Sequence, residues 1–439
     1  MYKKIELMGN SNDRIVAAVD VGTTKIVVVA GSKNEEGKID ILGMGRSCSM
    51  GVKRGVVFNV EEASKALKIA VNQVEQQIGQ SVDEVYINIV GQQLKTLTVS
   101  AEEAVEVENI VSAEDVTRLF EHIKQVQLDQ GVKVYHVVPQ MFKVDDEEGI
   151  PNPIGSAARK LSVDFKLLVA PDSYEKNLKL CFDRAQLKIC KSIIDPLASS
   201  EILLSEEEKE AGVVLLDIGG GTTKLAVYSE GVLCHSSVVP FGGNVITHDI
   251  KEGCAIIVRQ AESLKVQFGQ AMGDFAPEDK VVTIPGISGW EPKEISFRSL
   301  AYIIQARMEE IIEAFFFQLE QSGYLEHIGA GIVLTGGSAL MPNLGQLIKY
   351  RTGMDVRLGF PRMKFAKPVQ ELQDPRYATV FGLLTLGLEH KWADGDSETV
   401  RSRSKKNKGS QSGFFSQMKK HVAEQIAIFF DEDQGIKIS

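Results

Sequence analysis

Two stretches of the sequence decide the fold, RIVAAVDVGTTKIVVVAG (14–31) and AGVVLLDIGGGTTKLAVYSEG (211–231). Each is an apolar run that ends in an aspartate, Asp20 or Asp217, followed by a Gly/Thr turn, a lysine and a second apolar run. Short runs of Val, Ile and Leu on both sides of a turn are typical of buried β-hairpins. Because the same unit occurs twice, the sequence predicts two related halves.

The turns of both hairpins have the composition of a phosphate-binding site. Glycine lets the backbone approach an anion closely, and turn amides and threonine hydroxyls donate to phosphate oxygens. An aspartate beside such a cradle repels phosphate directly, so its natural role is to hold a hydrated Mg²⁺. The alternative is a pair of ordinary tight hairpins without a ligand. The recurrence of the aspartate in both units favours phosphate binding.

The charge of the chain is unevenly distributed. The net charge of the 439 residues is −10, which argues against a general nucleic-acid binder. Residues 1–400 carry 41 Lys/Arg and 55 Asp/Glu, whereas residues 401–439 carry eight and four. The body is therefore −14 and the tail +4, and this asymmetry predicts that the tail has a separate function.

Several classes of protein are disfavoured by the sequence. No apolar run reaches the ~18 residues of a membrane-spanning helix, and the N-terminus lacks the apolar region of a signal peptide. We therefore expect a cytoplasmic protein. The five cysteines are widely spaced, and the seven histidines show no metal-ligand spacing, so we expect free thiols and no metal cluster.

The segments between the hairpins alternate between strand and helix patterns. VDEVYINIVG (82–91) and VKVYHVVPQMFKV (132–144) are predicted as strands. SAEDVTRLFEHIKQVQ (112–127) is predicted as a helix, with Ser112 as its N-cap and two acids in its first turn. The sequence thus predicts a mixed α/β fold.

The hairpins resemble the two phosphate loops of the actin, Hsp70 and sugar-kinase ATPases, and three further elements follow in the order of that superfamily. GIVLTGGSALMPNLGQL (331–347) is similar to the turn that packs against adenosine, and RQAESLKVQFG (259–269) to the helix that flanks it. SIIDPLASSEILL (192–204) and ATVFGLLTLGL (378–388) are similar to the two hinge helices, the second with Ala378 and Gly382 as small packing residues. The resemblance implies a two-lobed ATPase fold that binds ATP and Mg²⁺.

The same resemblance assigns roles to individual residues. Asp195, in the first hinge helix, is implied to orient the attacking water, and Asp20 and Asp217 to hold Mg²⁺ through water. Lys25 and the hydroxyls of the turn threonines are implied to contact phosphates. The full predicted nucleotide-binding set is Asp20, Gly22, Thr23, Thr24, Lys25, Asp217, Gly219, Gly220, Gly221, Thr222, Thr223, Lys224, Gly243, Asn244, Glu262, Lys265, Gly336, Gly337 and Ser338.

Residues 84–170 narrow the resemblance to one branch of the superfamily. EVYINIVGQQLKT, VSAEDVTRLFEH and VYHVVPQMFKVDDEEGIPNPIGSAARKLSVDFKLLVA resemble the inserted domain of the FtsA cell-division family, with His136, Pro139, Asp145, Gly149, Pro153 and Gly155 at the expected places. The resemblance implies an insert that contacts neighbouring subunits or other division proteins.

The predicted domains follow from these assignments. We expect lobe 1 at 13–84, completed by 168–205 and 375–390; the inserted α+β subdomain at 85–167; lobe 2 at 206–270, completed by 329–374; its outer subdomain at 271–328; a disordered linker at 391–412; and an amphipathic helix at 413–430.

The predicted C-terminal helix, GFFSQMKKHVAEQIAIFF (413–430), has an imperfect apolar face beside a basic segment. A helix that docks on the protein's own core is the ordinary alternative, but the polar linker before it favours a membrane surface. Half-burying its seven apolar side chains contributes about 5–8 kcal/mol, and each lysine near anionic lipid adds about 1 kcal/mol. The predicted membrane-contacting residues are Phe414, Phe415, Met418, Lys419, Lys420, Val422, Ile426, Phe429 and Phe430.

The resemblance also implies partners. Arg307 and Glu310 are three residues apart on a predicted helix, where the ordinary interpretation is an ion pair on a solvated face. The family resemblance implies that they bind the C-terminal peptide of the tubulin-like protein FtsZ. We therefore expect an adaptor that self-associates like actin and tethers FtsZ filaments to the inner face of the cell membrane, with slow ATP hydrolysis at most. The alternatives are an FtsA-like pilus or secretion assembly ATPase and a sugar-kinase-like enzyme.

Overall fold

The computed structural model describes residues 15–106, 109–123, 126–286, 291–361, 365–366 and 370–400, with only the backbone described for 391–400. The predicted membrane helix 413–430 and linker residues 401–412 lie outside these ranges. No helix in the described part of the chain is long and apolar enough to cross a membrane.

Ten helices and eighteen strands are assigned in the described ranges. The strands are β1 (Val16–Val21), β2 (Lys25–Lys33), β3 (Ile39–Cys48), β4 (Val52–Lys53), β5 (Val56–Val57), β6 (Glu84–Ile89), β7 (Lys95–Ala104), β8 (Val132–Val144), β9 (Glu147–Ile150), β10 (Lys160–Pro171), β11 (Lys188–Ile194), β12 (Val213–Ile218), β13 (Thr223–Ser229), β14 (Val232–Val239), β15 (Val281–Ile284), β16 (Lys293–Ser296), β17 (Ile332–Thr335) and β18 (Val356–Leu358). The helices are α1 (Val60–Ile78), α2 (Ala113–Ile123), α3 (Asp172–Ala185), α4 (Asp195–Leu203), α5 (Glu206–Ala211), α6 (Gly243–Cys254), α7 (Val258–Phe268), α8 (Phe297–Gln321), α9 (Leu344–Thr352) and α10 (Ala378–Val400).

Two sheets of the same topology form the two lobes. Their strand orders are β3-β2-β1-β6-β11 in lobe 1 and β14-β13-β12-β17-β18 in lobe 2. In each sheet an antiparallel meander is extended by two parallel strands, because the first strand of each predicted hairpin also pairs in parallel with the next strand along the sheet. Every residue of β1 and β12 is buried, as expected for central strands covered on both faces. The predicted repeat of two related halves is confirmed.

The inserted subdomain is a four-stranded antiparallel sheet, ordered β7-β10-β8-β9, with α2 packed on it. The rings of Phe120 on α2 and Phe165 on β10 meet edge to face, with their centroids 4.9 Å apart. The predicted start of α2 is correct, since Ser112 and Asp115 exchange cap hydrogen bonds. The predicted end at 127 is wrong: the helix ends at Ile123, whose carbonyl accepts from the Val126 amide in a turn.

One predicted boundary of the insert differs from the structure. The insert does not begin at 85, because β6 pairs in parallel with β1 and β11 inside the sheet of lobe 1. In the predicted outer subdomain of lobe 2 (271–328), α8 shares one hydrophobic core with the sheet of that lobe and packs on α6.

Helices α4 and α10 cross beside the interlobe cleft. A Cβ added to Gly382 on α10 would overlap the backbone of α4 at the carbonyl of Ala198. The predicted role of Gly382 in close packing is therefore confirmed. Helix α10 extends to Val400, so residues 391–400 of the predicted disordered linker are helical; once a helix is nucleated, each added residue gains a backbone hydrogen bond even where it has no apolar face to bury.

The helix crossing generates a stability prediction. We expect Gly382→Ala to lower the free energy of unfolding by about 1–3 kcal/mol, because the methyl group must displace the backbone of α4. Gly345→Ala is the matched control: Gly345 also lies in a helix, α9, but its added Cβ would meet only Val356 at an ordinary 3.7 Å. Denaturant unfolding of both variants measures the difference. Equal stability of the two variants would contradict the close contact between α4 and α10 at Gly382.

Candidate nucleotide-binding cleft

A cleft of about 410 Å³ lies between the two lobes, at the turns of the two related hairpins. It is lined by the β1–β2 turn, the β12–β13 turn, the start of α6, helix α7, the turn after β17 and the segment before α10. Every residue of the predicted nucleotide-binding set lines the cleft except Thr223, and Asp195 lines it as well. The fold thus brings residues that are more than 300 positions apart in the sequence into one concave site.

The two hairpin turns are built alike. In the first, the Gly22 amide donates to the Lys25 carbonyl at 3.0 Å, and in the second the Gly219 amide donates to the Thr222 carbonyl at 2.9 Å. The turns also face each other closely. A Cβ on Gly221 would lie 2.7 Å from the Thr23 side chain, and one on Gly220 would overlap the Thr24 methyl group. Glycine at these two positions therefore lets the turns of the two lobes lie this close together.

Three carboxylates meet at the bottom of the cleft, although they come from distant elements. Asp20 ends β1, Asp195 begins α4 and Asp217 lies on β12. The Lys224 Nζ donates to Asp195 at 2.9 Å and to Asp217 at 2.8 Å. The Asn88 Nδ2 donates to Asp20 at 2.9 Å and to Asp195 at 3.1 Å. All three acids are buried, so their charges depend on these donors.

Burial and mutual repulsion perturb the ionisation of this cluster. Burial, with the neighbouring Asp195 charge, raises the pKa of Asp20 to about 7. Burial likewise raises the pKa of Asp217. Burial alone lowers the pKa of Lys224, but the charges of Asp195 and Asp217 outweigh it and hold this pKa above its ordinary value. Lys224 therefore remains an ammonium ion.

The other two predicted lysines lie on opposite sides of the cleft. The Lys25 Nζ donates to the Arg376 carbonyl and lies 4.2 Å from the Tyr377 ring centroid, and burial lowers its pKa to about 8. The Lys265 Nζ donates to the Gly243 carbonyl at 2.9 Å and to Glu262 at 2.6 Å. Lys25 is thus anchored by the segment before α10, and Lys265 joins α7 to the start of α6.

The turn after β17 forms the far wall of the cleft. Gly336 has a φ of 89°, and a Cβ there would overlap the Asp217 carboxylate, so only glycine fits. At the next residue, Gly337, an added Cβ would meet only Arg376, at 3.9 Å. Val266 and Leu340, two exposed apolar side chains, line the same wall. The space beside Gly337 is therefore open to a ligand.

Comparison with known proteins identifies the family. A family model described as "Cell division protein FtsA" matches residues 214–382, and one described as "SHS2 domain inserted in FTSA" matches residues 91–169. Cell division protein FtsA of Pseudomonas aeruginosa is 30% identical over 410 residues, which cover 93% of this chain and 97% of that protein. The chain belongs to the FtsA family. Cell division protein FtsA of Escherichia coli (strain K12) is 32% identical over 401 residues, which cover 88% of this chain and 93% of that protein.

Solved structures place this FtsA-family chain in the actin-like fold. The PilM–PilN type IV pilus biogenesis complex contains a chain with a TM-score of 0.59 and 14% identity, covering 85% of this chain and 98% of that one. MreB 5 of Spiroplasma citri bound to AMPPNP has a TM-score of 0.54 and 13% identity, covering 88% and 99%. The predicted two-lobed actin-like α/β fold with an FtsA-type insert is confirmed.

One expectation about a single residue of this FtsA-family site is not met by the geometry. The sequence predicts that Thr223 contacts phosphate, but its hydroxyl donates to the Phe241 carbonyl at 2.9 Å and its side chain is fully buried in β13. Alternation along the strand turns Thr223 inward and away from the cleft. The carboxylates predicted to hold Mg²⁺ through water also have protein partners, since Asp217 pairs with Lys224 and Asp20 accepts from Asn88; their role towards Mg²⁺ stays a prediction.

Sequence reasoning missed Asn88, which is buried behind the carboxylates of the cleft, and two residues that line the cleft. Asn88 is a polar residue in the otherwise apolar run YINIV, and that contrast was an available signal. Thr379, at the start of α10, donates to Asp195 at 3.0 Å, and its hydroxyl carried no comparable signal. Arg376 lines the cleft and pairs with Asp374. In the sequence these two residues are only two positions apart, so they look like an ordinary local ion pair and give no sign of a ligand site.

The predicted partner-binding residues lie outside the cleft, on α8. The Arg307 guanidinium makes two hydrogen bonds to Asp249 on α6 and a further one to Glu310. These hydrogen bonds raise the pKa of Arg307 above its ordinary value. The Arg307 side chain is about 30% exposed, so the pair forms a partly open charged patch on lobe 2.

The acidic cluster generates a prediction about stability and pH. The folded state binds a proton at Asp20 more tightly than the unfolded state does, so the free energy of unfolding should fall by about 1–3 kcal/mol as the pH rises from 3.8 towards about 7. Asp20→Asn keeps the carbonyl acceptor for Asn88 but cannot ionise, and we expect it to flatten this decline. Denaturant unfolding across that pH range measures both slopes.

The matched control is Asp279→Asn, which removes an exposed acid far along the chain from the cluster. It should retain the wild-type slope. An Asp20→Asn slope identical to that of the wild type would contradict the electrostatic description of the site.

Proposed function

We propose that the chain is an ATP-binding, actin-like adaptor of cell division that links FtsZ filaments to the cytoplasmic face of the cell membrane. The observation that carries the nucleotide part is the pair of equivalent glycine turns facing each other across the interlobe cleft. Backbone amides at such turns form anion-binding concavities. The resemblance in fold to the AMPPNP-bound MreB 5 structure supports a nucleoside triphosphate as the anion.

The cleft offers separate places for the two ends of a nucleotide. Phosphates would lie between the turns, within reach of Thr24 and Lys25 in lobe 1 and of Thr222 in lobe 2. The adenine would lie against the open wall at Gly337, with Leu340 beside it. The cleft volume of about 410 Å³ is within the ordinary range of small-molecule sites, about 300–1,000 Å³.

Hydrolysis in this arrangement is slow. Asp195 is the residue that would orient an attacking water, but both of its carboxylate oxygens already accept hydrogen bonds, from Thr379 and from Asn88 and Lys224. A carboxylate engaged in this way is a weak acceptor for a water proton. The nucleotide then acts chiefly by joining the two lobes, because its phosphates contact both turns.

The nucleotide proposal is tested by filling the adenine wall. We expect Gly337→Leu to weaken ATP binding by at least about tenfold, because its side chain enters the space of the base while the backbone is unstrained. Gly345→Leu, outside the cleft, is the matched control and should bind like the wild type. Equilibrium dialysis with labelled ATP measures both, and wild-type affinity in Gly337→Leu would contradict the assignment.

The membrane part of the proposal rests on the tail. Residues 401–420 contain seven Lys/Arg and no acid, and they run into the apolar face of the segment 413–430. The −14 body is repelled by anionic lipid, whereas the +4 tail is attracted to it. We propose that the chain is peripheral at the division site and that it also assembles into actin-like filaments, with the insert contacting other division proteins.

The FtsZ part of the proposal rests on the charged patch of lobe 2. Arg307 is held in place by Asp249, and its remaining exposure allows a carboxylate of an incoming peptide to reach it. Arginine suits this role because its planar donors can bind more than one carboxylate at once. The C-terminal peptide of FtsZ is the partner that the family resemblance implies, and a carboxylate on it would match this chemistry.

Co-sedimentation with liposomes tests the tether as a whole. We expect the full chain to carry FtsZ polymers into the pellet with anionic liposomes. A chain ending at Val400 should leave both proteins in the supernatant, since it lacks the basic segment and the apolar face. Arg307→Glu should pellet with the liposomes but carry at least about threefold less FtsZ, because like charges now face each other.

Arg351→Glu is the matched control, since Arg351 also pairs with an acid of α8, Glu313, but lies on α9. It should recruit FtsZ as the wild type does. Equal pelleting of the full and shortened chains would contradict the membrane tether, and undiminished FtsZ recruitment by Arg307→Glu would contradict the peptide site.

A further inference from the structure

Lys224 occupies the position between the carboxylates that a divalent cation would otherwise take. Its ammonium group lies 2.9 Å from an oxygen of Asp195 and 2.8 Å from an oxygen of Asp217. The lysine side chain is only 11% exposed, and the two acid side chains are 1% and 9% exposed. The ion pair is therefore shielded from solvent, where competition by water and salt is weak.

The pairing follows from the register of the second hairpin. Asp217 on β12 and Lys224 on β13 are directly opposite each other in the antiparallel ladder. Side chains at such positions have Cβ atoms about 5 Å apart and project from the same face of the sheet. The backbone thus places Lys224 where its ammonium group can reach Asp217.

The remaining donors leave little room for a hydrated metal ion. Asn88 donates to Asp20 and Asp195, and Thr379 donates to the other oxygen of Asp195. Mg²⁺ requires near-octahedral oxygen coordination and retains several waters. Among the described residues, no three His, Cys, Asp or Glu side chains are arranged as ligands of a metal ion. The carboxylates of the site accept their hydrogen bonds from donors of the protein itself.

We propose that Lys224 supplies the positive charge that a divalent cation would supply here, so that the cleft binds metal-free ATP about as well as MgATP. This inference rests on the proposed nucleotide function and adds the form of the ligand. The triphosphate is met by turn amides and by Lys25, while Lys224 neutralises the acids beneath it.

The test compares ATP binding in excess EDTA and in excess Mg²⁺, by equilibrium dialysis of the full chain. We expect the two wild-type dissociation constants to agree within about threefold. Lys224→Met, which is similar in length but uncharged, should bind ATP at least about tenfold more tightly with Mg²⁺ than with EDTA, because its carboxylates are left without a cation.

Two further variants keep the test decisive. Lys224→Met/Asp217→Asn removes one charge of each sign, so it should fold and lose most of the Mg²⁺ dependence even if Lys224→Met alone is unstable. Lys209→Met removes another buried lysine, paired with Glu206 away from the cleft, and should behave as the wild type does.

Each outcome separates this inference from the proposed function. Wild-type binding that is at least about tenfold weaker in EDTA overturns the role of Lys224 but leaves ATP binding intact. Equal Mg²⁺ dependence in Lys224→Met and Lys209→Met also overturns it. The absence of ATP binding under both conditions overturns the proposed nucleotide function and the inference with it.

Discussion

The fold of this protein depends on three buried carboxylates that lie close together between its lobes. Asp20, Asp195 and Asp217 are contributed by separate elements, and none of them is more than 8% exposed, so water screens their repulsion only weakly. Lys224 and Asn88 supply the donors that make their burial tolerable. Because Lys224 belongs to lobe 2 and Asp195 to the first hinge helix, the same hydrogen bonds also join the two halves.

The arrangement of the rest of the cleft follows from this junction. With the acids joined, the two glycine turns are held so close that any side chain on Gly220 or Gly221 would meet the threonines opposite. The crossing of α4 and α10 is equally close at Gly382. A ligand that lay between these turns would contact both lobes at once. The insert also contacts lobe 2, since Thr96 exchanges hydrogen bonds with the backbone of Ser236 in that lobe.

Much of this architecture could be predicted from residues alone. The twin hairpins, their turn residues and the α/β alternation follow from apolar runs and Gly/Thr turns, whose geometry is local. The cleft residues outside the hairpins were implied by the family resemblance. The prediction was wrong where the same local sequence pattern is compatible with two different tertiary contacts. Thr223 belongs to a Gly-Thr-Thr turn, yet strand alternation turns its hydroxyl to the Phe241 carbonyl. Strand β6 looked like part of the insert, and only its pairing with β1 assigns it to lobe 1.

The sequence by itself determined the strands, the turns and the separation of an acidic body from a basic tail, since these depend on neighbouring residues and on composition. Only the tertiary structure decided what each charged group of the cleft faces. Lys224 belongs to the predicted nucleotide-binding set and Asp217 to the predicted Mg²⁺ residues, but only the register of the hairpin shows that they lie opposite each other and form an ion pair. The partners of a buried charge are set by long-range packing, because the stabilising donor can come from any element that reaches it. Asn88 and Thr379 are such donors, on β6 and α10.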